Sequence, residues 1–224
     1  MRSRGVFGAT VDLAVPVECG GCRRHGIPWC RRCDRTVHDD PVALRPRVDP
    51  GVPAWAAGRY SGPLRNAVVD LKEHRRTDLV PVLGDLLAVA LLRLADWGDL
   101  PAARTLALVP APTRAGAARR RGGDPVTAIA VRAAERLGPR VAAVPLLRTA
   151  GWARDSAGLG AGRRLANLRD AVTVGEVPAA VTGGDTAVVL VDDVLTTGAT
   201  AAVSVSALRR AGAAPVAVLV CAGA

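Results

Sequence analysis

Lysine occurs once in these 224 residues, at Lys72, so almost all of the 30 basic side chains are arginine. That scarcity excludes one large class of phosphate-binding site. A glycine-rich nucleotide loop ends in Gly-Lys-Ser or Gly-Lys-Thr, whereas the lone lysine stands in Asp70-Leu71-Lys72-Glu73. A long uninterrupted apolar run is lacking too. The best candidate, residues 79–95, contains Asp85 and Arg93, so it reads as a buried amphipathic helix and not as a membrane span. The first residues carry Arg2 and Arg4 but no continuous apolar core, because Asp12 breaks it, so no signal peptide is expected and a cytoplasmic location is. Gly158, Gly160 and Gly162 have no strand before them and do not keep the spacing of a dinucleotide fingerprint.

What is present is ordinary globular material, with half the residues apolar. A chain of this length buries a substantial core, and one domain plus an appendage is the expectation. The formal net charge of +10 invites a nucleic-acid reading, but its distribution is uneven. Residues 104–169 hold 13 basic and 3 acidic side chains, whereas residues 1–50 hold 9 and 6. The surplus therefore sits in the middle of the chain and suits a polyphosphate substrate at least as well as DNA, so direct nucleic-acid binding is only weakly supported.

The organising stretch is Ala187-Val188-Val189-Leu190-Val191-Asp192-Asp193-Val194-Leu195-Thr196-Thr197-Gly198-Ala199-Thr200. Five apolar, mostly β-branched residues read as a strand buried on both faces. Two carboxylates stand where that strand is expected to end, and a Thr-rich turn follows. Ala201, Val205, Leu208 and Gly212 then recur at helical spacing. A glycine lets backbone approach a ligand, helix-start N–H groups face an anion, and hydroxyls donate as well. The loop end wants a phosphate. Asp192 and Asp193 offer acceptors only, which suits a vicinal diol or a cation. A ribose 5-phosphate satisfies both ends.

Near the N-terminus, Cys19-x2-Cys22-x7-Cys30-x2-Cys33 holds four of the five cysteines. Each CxxC presents two thiolates from one turn, and Zn2+ takes four in a tetrahedron. Structural zinc is the first expectation, and an iron–sulfur cluster or a disulfide pair would use the same four residues. The Pro-rich residues 34–53 read as a linker that divides the chain into a unit at 1–50 and a domain at 51–224. A short strand is expected over 55–60 and a helix over 64–73, with Pro63 at its start and Lys72 at its end. Lys72 is either a solvated helix-end side chain or a phosphate contact. Strands are expected over 105–109, 141–147 and 215–220, with a helix over 126–137 between the first two. The loop that includes Arg114 and Arg121 follows a strand end and carries anion-binding side chains. Residues 148–162, with four glycines, read as a lid, and 163–168 as the helical return. Cys221 falls in the apolar register of the last strand and is expected to be buried.

The stretch around Asp192 resembles the phosphoribosyl-pyrophosphate (PRPP) signature of type I phosphoribosyltransferases. Together with the cysteine knuckle, Tyr60-Ser61-Gly62-Pro63-Leu64-Arg65, Leu71-Lys72, Val109-Pro110-Ala111-Pro112, the Arg-Gly step and Arg164-x2-Asn167-Leu168, the chain is similar to the ComF family of competence-associated phosphoribosyltransferase-like proteins. It departs from that pattern at Gly123-Asp124-Pro125 and Asp155-Ser156. The resemblance implies an α/β phosphoribosyltransferase fold behind a small zinc unit. It further implies that Asp192 and Asp193 hold the ribose hydroxyls and act in catalysis, and that Thr196, Thr197, Gly198, Ala199 and Thr200 hold the 5-phosphate. Lys72, Arg114 and Arg121 complete PRPP binding, and Mg2+ accompanies the substrate. The family chemistry is displacement of pyrophosphate by a nitrogen nucleophile, in the setting of DNA uptake or recombination with DNA-processing partners. The different-class reading is a non-catalytic PRPP-sensing adaptor that docks partners or nucleic acid through its zinc unit.

Overall fold

The computed structural model describes residues 17–37, 40–113, 124–149 and 172–223. A short helix α1 (Arg31–Val37) follows the cysteine segment. Strands β1 (Val42–Leu44) and β2 (Ala54–Ala56) lead to helices α2 (Gly62–Glu73) and α3 (Val80–Asp96). Strand β3 (Thr105–Pro110), helix α4 (Pro125–Leu137) and strands β4 (Val141–Ala143), β5 (Leu147–Thr149) and β6 (Val172–Val174) come next. The described chain closes with α5 (Ala179–Thr182), β7 (Thr186–Leu195), α6 (Ala199–Arg210) and β8 (Ala217–Gly223).

The main sheet has the order β1-β2-β8-β7-β3-β4. Every pairing in it is parallel except the edge pair β1–β2. Strand β7 is central, and a parallel sheet with helices on both faces demands the continuous apolar run that residues 187–191 supply. Its side chains alternate between two cores. On one face Val189 and Val191 join Leu219 and Cys221 against Val68 and Leu71 of α2, Leu83 and Leu87 of α3 and Ile129 of α4. On the other, Val188 and Leu190 join Val218 and Val220 against Ala201, Val205 and Leu208 of α6. Each fully buried Leu or Ile contributes about 1.5–3 kcal/mol over the exposed side chain.

Three expectations change. The Pro-rich stretch read as a linker is, in part, structure, since Val42, Ala43 and Leu44 pair antiparallel with Ala56, Trp55 and Ala54. Three apolar residues between Pro41 and Pro46 suffice for an edge strand, where prolines outside the ladder do no harm. The expected strand over 141–147 is split. β4 stays in the main sheet while β5 pairs with β6 in a separate two-stranded sheet, because Pro145 has no N–H for the ladder between them. The expected strand over 55–60 keeps only its first residues, as β2. Asp124, at the departure from the family pattern, is the N-cap of α4: its carboxylate accepts from Val126 N at 3.1 Å and from the Thr127 hydroxyl at 2.7 Å. That is the ordinary work of Asp ahead of a first-turn proline.

Candidate functional site

Strand β7 outruns its neighbour. Its last pair with β3 is Val191 with Pro110, whereas on the other side it continues with β8 through Asp192↔Val220, Val194↔Ala222 and Leu195↔Gly223. Asp192 and Asp193 therefore lie inside the strand, which runs on to Leu195, and not at its end as the sequence suggested. They sit beyond the end of β3, at the carboxyl edge of the parallel strands, where open α/β sheets bind ligands.

Lys72, at the end of α2, brings its Nζ to 2.8 Å from Asp193 Oδ1. Its side chain is a third exposed and its partner nearly buried, so Lys72 is an ion-paired lysine at the helix end. Asp192 Oδ1 accepts from the Asp193 N–H at 2.8 Å. Burial first, and the charge of Asp193 second, hold the Asp192 carboxyl well above its ordinary range. The same two carboxylates add to burial in raising the Cys221 thiol, so that cysteine is an inert neighbour beneath the acids, as expected from its register.

A raised carboxyl value in the folded state means that the folded protein holds this proton more tightly than the unfolded chain. The stability it contributes is present at low pH and is lost as pH rises from the ordinary carboxylate range through the raised value. Asp192→Asn, which keeps the oxygen that accepts from Asp193 N–H, is therefore expected to raise the thermal midpoint at neutral pH. The gain should shrink as pH falls toward the ordinary carboxylate range. Melting curves across that pH range check it, and a midpoint lowered at neutral pH would contradict it.

The Thr-rich turn follows directly. Thr196 and Thr197 are exposed, Ala199 and Thr200 half-buried, and α6 starts at Ala199 with Gly198 as its N-cap. Gly198 is at φ +84, and a Cβ there would run into the Val48 carbonyl and lie 2.7 Å from Pro46 Cβ. Val48 N–H donates to the Thr197 carbonyl at 2.9 Å. The turn is thus buttressed from outside by the segment just after β1. The Ala199 N–H at the start of α6 donates to the Thr197 hydroxyl at 3.4 Å, and first-turn N–H groups of a helix have no helix carbonyl to pair with, which suits them to an anion. A cavity of about 450 Å3 lies elsewhere, lined by Thr36, Val37, Arg59, Ser61 and Pro63 among others.

The sulfurs of Cys19, Cys22, Cys30 and Cys33 lie within 4.8 Å of one another. Cys19 is 3.7 Å from Cys33, and Cys22 is 3.7 Å from Cys30. A disulfide requires about 2.05 Å, so the four are separate thiols. A tetrahedron of sulfurs about 2.3 Å from its centre has edges of roughly 3.8 Å, so the cluster could hold a metal such as zinc. The thiols differ in how readily they ionise. Burial alone would raise Cys19, but the backbone N–H groups of Cys22, Cys30 and Gly21 hold it below its usual value. The Cys33 backbone N–H leads in lowering Cys30 to about 6, while burial pushes Cys33 far up. Thiols this close ionise together only around a central positive charge. His25 is a surface side chain, 3.4 Å from Glu18.

Arg114, Arg121, residues 150–162 of the expected lid and the return at 163–168 lie outside the described residues. Arg148 and Thr149, where the lid was expected to begin, belong to β5. Among the described residues no helix is long and apolar enough to cross a membrane. Sequence reasoning missed Arg23, Pro46 and Val48 as partners of these sites, and no local pattern marks them. Compared with known proteins, the chain matches no protein-family model and no curated protein.

Proposed function

We propose that this chain binds PRPP in a type I phosphoribosyltransferase fold and transfers its phosphoribosyl group to a nitrogen nucleophile. The observation that supports the reading most is a juxtaposition. An acid pair stands at the carboxyl edge of the central parallel strand, past the end of β3, and runs straight into a Thr-rich turn that opens α6. Asp192 and Asp193 accept the ribose hydroxyls, and the turn from Thr196 to Thr200 holds the 5-phosphate. The lone pair of the nucleophile forms the new bond at C1 while the C1–O bond breaks, its electrons leaving on pyrophosphate. Positive charge develops on the sugar ring beside the two carboxylates, where it is stabilised most. Arg114 and Arg121 are assigned to the leaving pyrophosphate. Mg2+ would supply further neutralisation there, and the hard carboxylate oxygens of Asp192 and Asp193 are of the type it takes. Purified protein with PRPP, Mg2+ and a panel of nucleobases is expected to release pyrophosphate. PRPP binding without release under every acceptor would favour the sensing adaptor, and absence of both would remove the reading.

The cysteine cluster is assigned one structural zinc, closed by four thiolates and without a position open for chemistry. Elemental analysis of the purified protein should find one zinc per chain, and Cys30→Ser should lose it and loosen the N-terminal unit more than the core. An iron absorption spectrum, or a well-folded metal-free protein, would contradict the assignment.

A further inference from the structure

Helix α2 touches both sites through residues only two apart. Asp70 and Lys72 are separated by about 200° around the helix axis, so one faces the cysteine knuckle while the other faces the acid pair. Asp70 is 1% exposed. Its carboxylate takes both terminal nitrogens of Arg23, with Nη2 2.8 Å from Oδ1 and Nη1 against Oδ2. Arg76 also approaches, but at 3.8 Å, and its closer bonds go to Asp78 and to the Glu18 carbonyl. Arg23 is delivered by the knuckle itself. It follows Cys22 at φ +64, its N–H donates to the Cys19 carbonyl at 2.9 Å, and Asn66 of α2 donates to the Gly21 carbonyl at 2.7 Å.

We propose that Arg23 is a positioning residue of the ribose site: by neutralising buried Asp70 it keeps the last turn of α2 wound and Lys72 on Asp193. The proposal rests on the reading of the acid pair as a ribose site. Without Arg23, Asp70 is a carboxylate cut off from water with its remaining cation at a distance, and such a group must reach solvent. It can do so only at the helix end, where the N–H groups of His74 and Arg76 both bond to the Asp70 carbonyl. Unwinding that turn carries Lys72, two residues further on, away from Asp193. The acid pair then loses its cation, and its two like charges are left facing an incoming diol.

Lys72 is the chain's only lysine, so its availability can be read directly. An amine-acylating reagent is applied to the folded protein and the Lys72 peptide is quantified by mass spectrometry, apart from the N-terminal amine. Arg23→Gln is expected to speed labelling of Lys72 about fivefold, the worth of a partly exposed ion pair. Asp70→Asn, and the double variant Arg23→Gln/Asp70→Asn, should label near the wild-type rate, because a neutral side chain has no need to escape. Arg132→Gln, which breaks the 2.8 Å pair with Asp85 between α4 and α3, serves as the control for general loosening and should stay within about twofold. If Arg23→Gln does not fold while the double variant folds with Lys72 protected, the inference is supported as well. Equal labelling in Arg23→Gln and wild type, or equal acceleration in Asp70→Asn, Arg23→Gln and Arg132→Gln, would overturn it. PRPP titration of the same proteins should show affinity lost in Arg23→Gln and recovered in the double variant. Should wild type bind no PRPP, the ribose reading falls, while the labelling still decides what Arg23 does to Lys72.

Discussion

Val189→Asp is expected to yield no folded domain. Val189 is fully buried at the middle of β7, paired with Leu108 of β3 on one side and Ala217 of β8 on the other. Among the described residues no basic side chain is buried. A carboxylate there has neither water nor a partner, and the cost exceeds about 5 kcal/mol, which is comparable with the whole stability of a domain. Protonation would lower that cost only by substituting an unpaired carboxyl. Val131→Asp supplies the contrast. Val131 is 41% exposed on α4, and its replacement should move stability by no more than about 0.5 kcal/mol. Circular dichroism and denaturant unfolding of the two variants separate the outcomes, and a cooperatively folded Val189→Asp would mean that β7 is not the core strand.

Gly198→Ala is the second large effect, and it should strike stability and the shape of the Thr-rich turn together. At φ +84 an alanine costs about 1–2 kcal/mol in backbone strain alone. Gly184, at φ +80 with open space around its missing Cβ, isolates that part, so Gly184→Ala should cost only this much. At Gly198 the new methyl also meets Pro46 and the Val48 carbonyl. Overpacking of that kind adds about 1–3 kcal/mol. Relief requires moving the segment after β1 and giving up the bond from Val48 N–H to the Thr197 carbonyl. The turn then loses the buttress that shapes it, so binding of any anion at α6 should fall with stability. Denaturant unfolding of both alanine variants measures the difference, and equal costs at the two glycines would show that the buttress carries no strain.

These results would rest on features that the sequence discloses unevenly. Strand β7 and helices α3 and α4 are legible because burial on both faces, or on one stripe, imposes composition and period over many residues. The acid pair and the Thr-rich turn are legible because few structural needs put two carboxylates and three threonines around one glycine. Strand β1 is not legible: three residues between prolines have no period, and their partner β2 is known only after folding. Lys72 shows the same limit from the side of chemistry. Its identity as the sole lysine is conspicuous, but its partner Asp193 lies on another element, and only the docking of α2 beside β8 and β7 decides that the two meet. Arg23 looks like one arginine among many, and what singles it out is Asp70, a buried carboxylate whose place inside the fold no local pattern announces.

The most direct measurement of the central claim is calorimetric titration of PRPP with Mg2+ into wild type, Asp192→Asn and Asp193→Asn at neutral pH. Each substitution keeps side-chain size and one accepting oxygen but removes a charge. Loss of a charge-assisted hydrogen bond to a ribose hydroxyl is expected to weaken binding by about 1–3 kcal/mol, or roughly fivefold to 150-fold. The account predicts measurable binding to wild type and that loss in both variants, with Asp192→Asn melting no lower than wild type. Unchanged PRPP affinity in both variants, or a wild type that binds no PRPP, would contradict it.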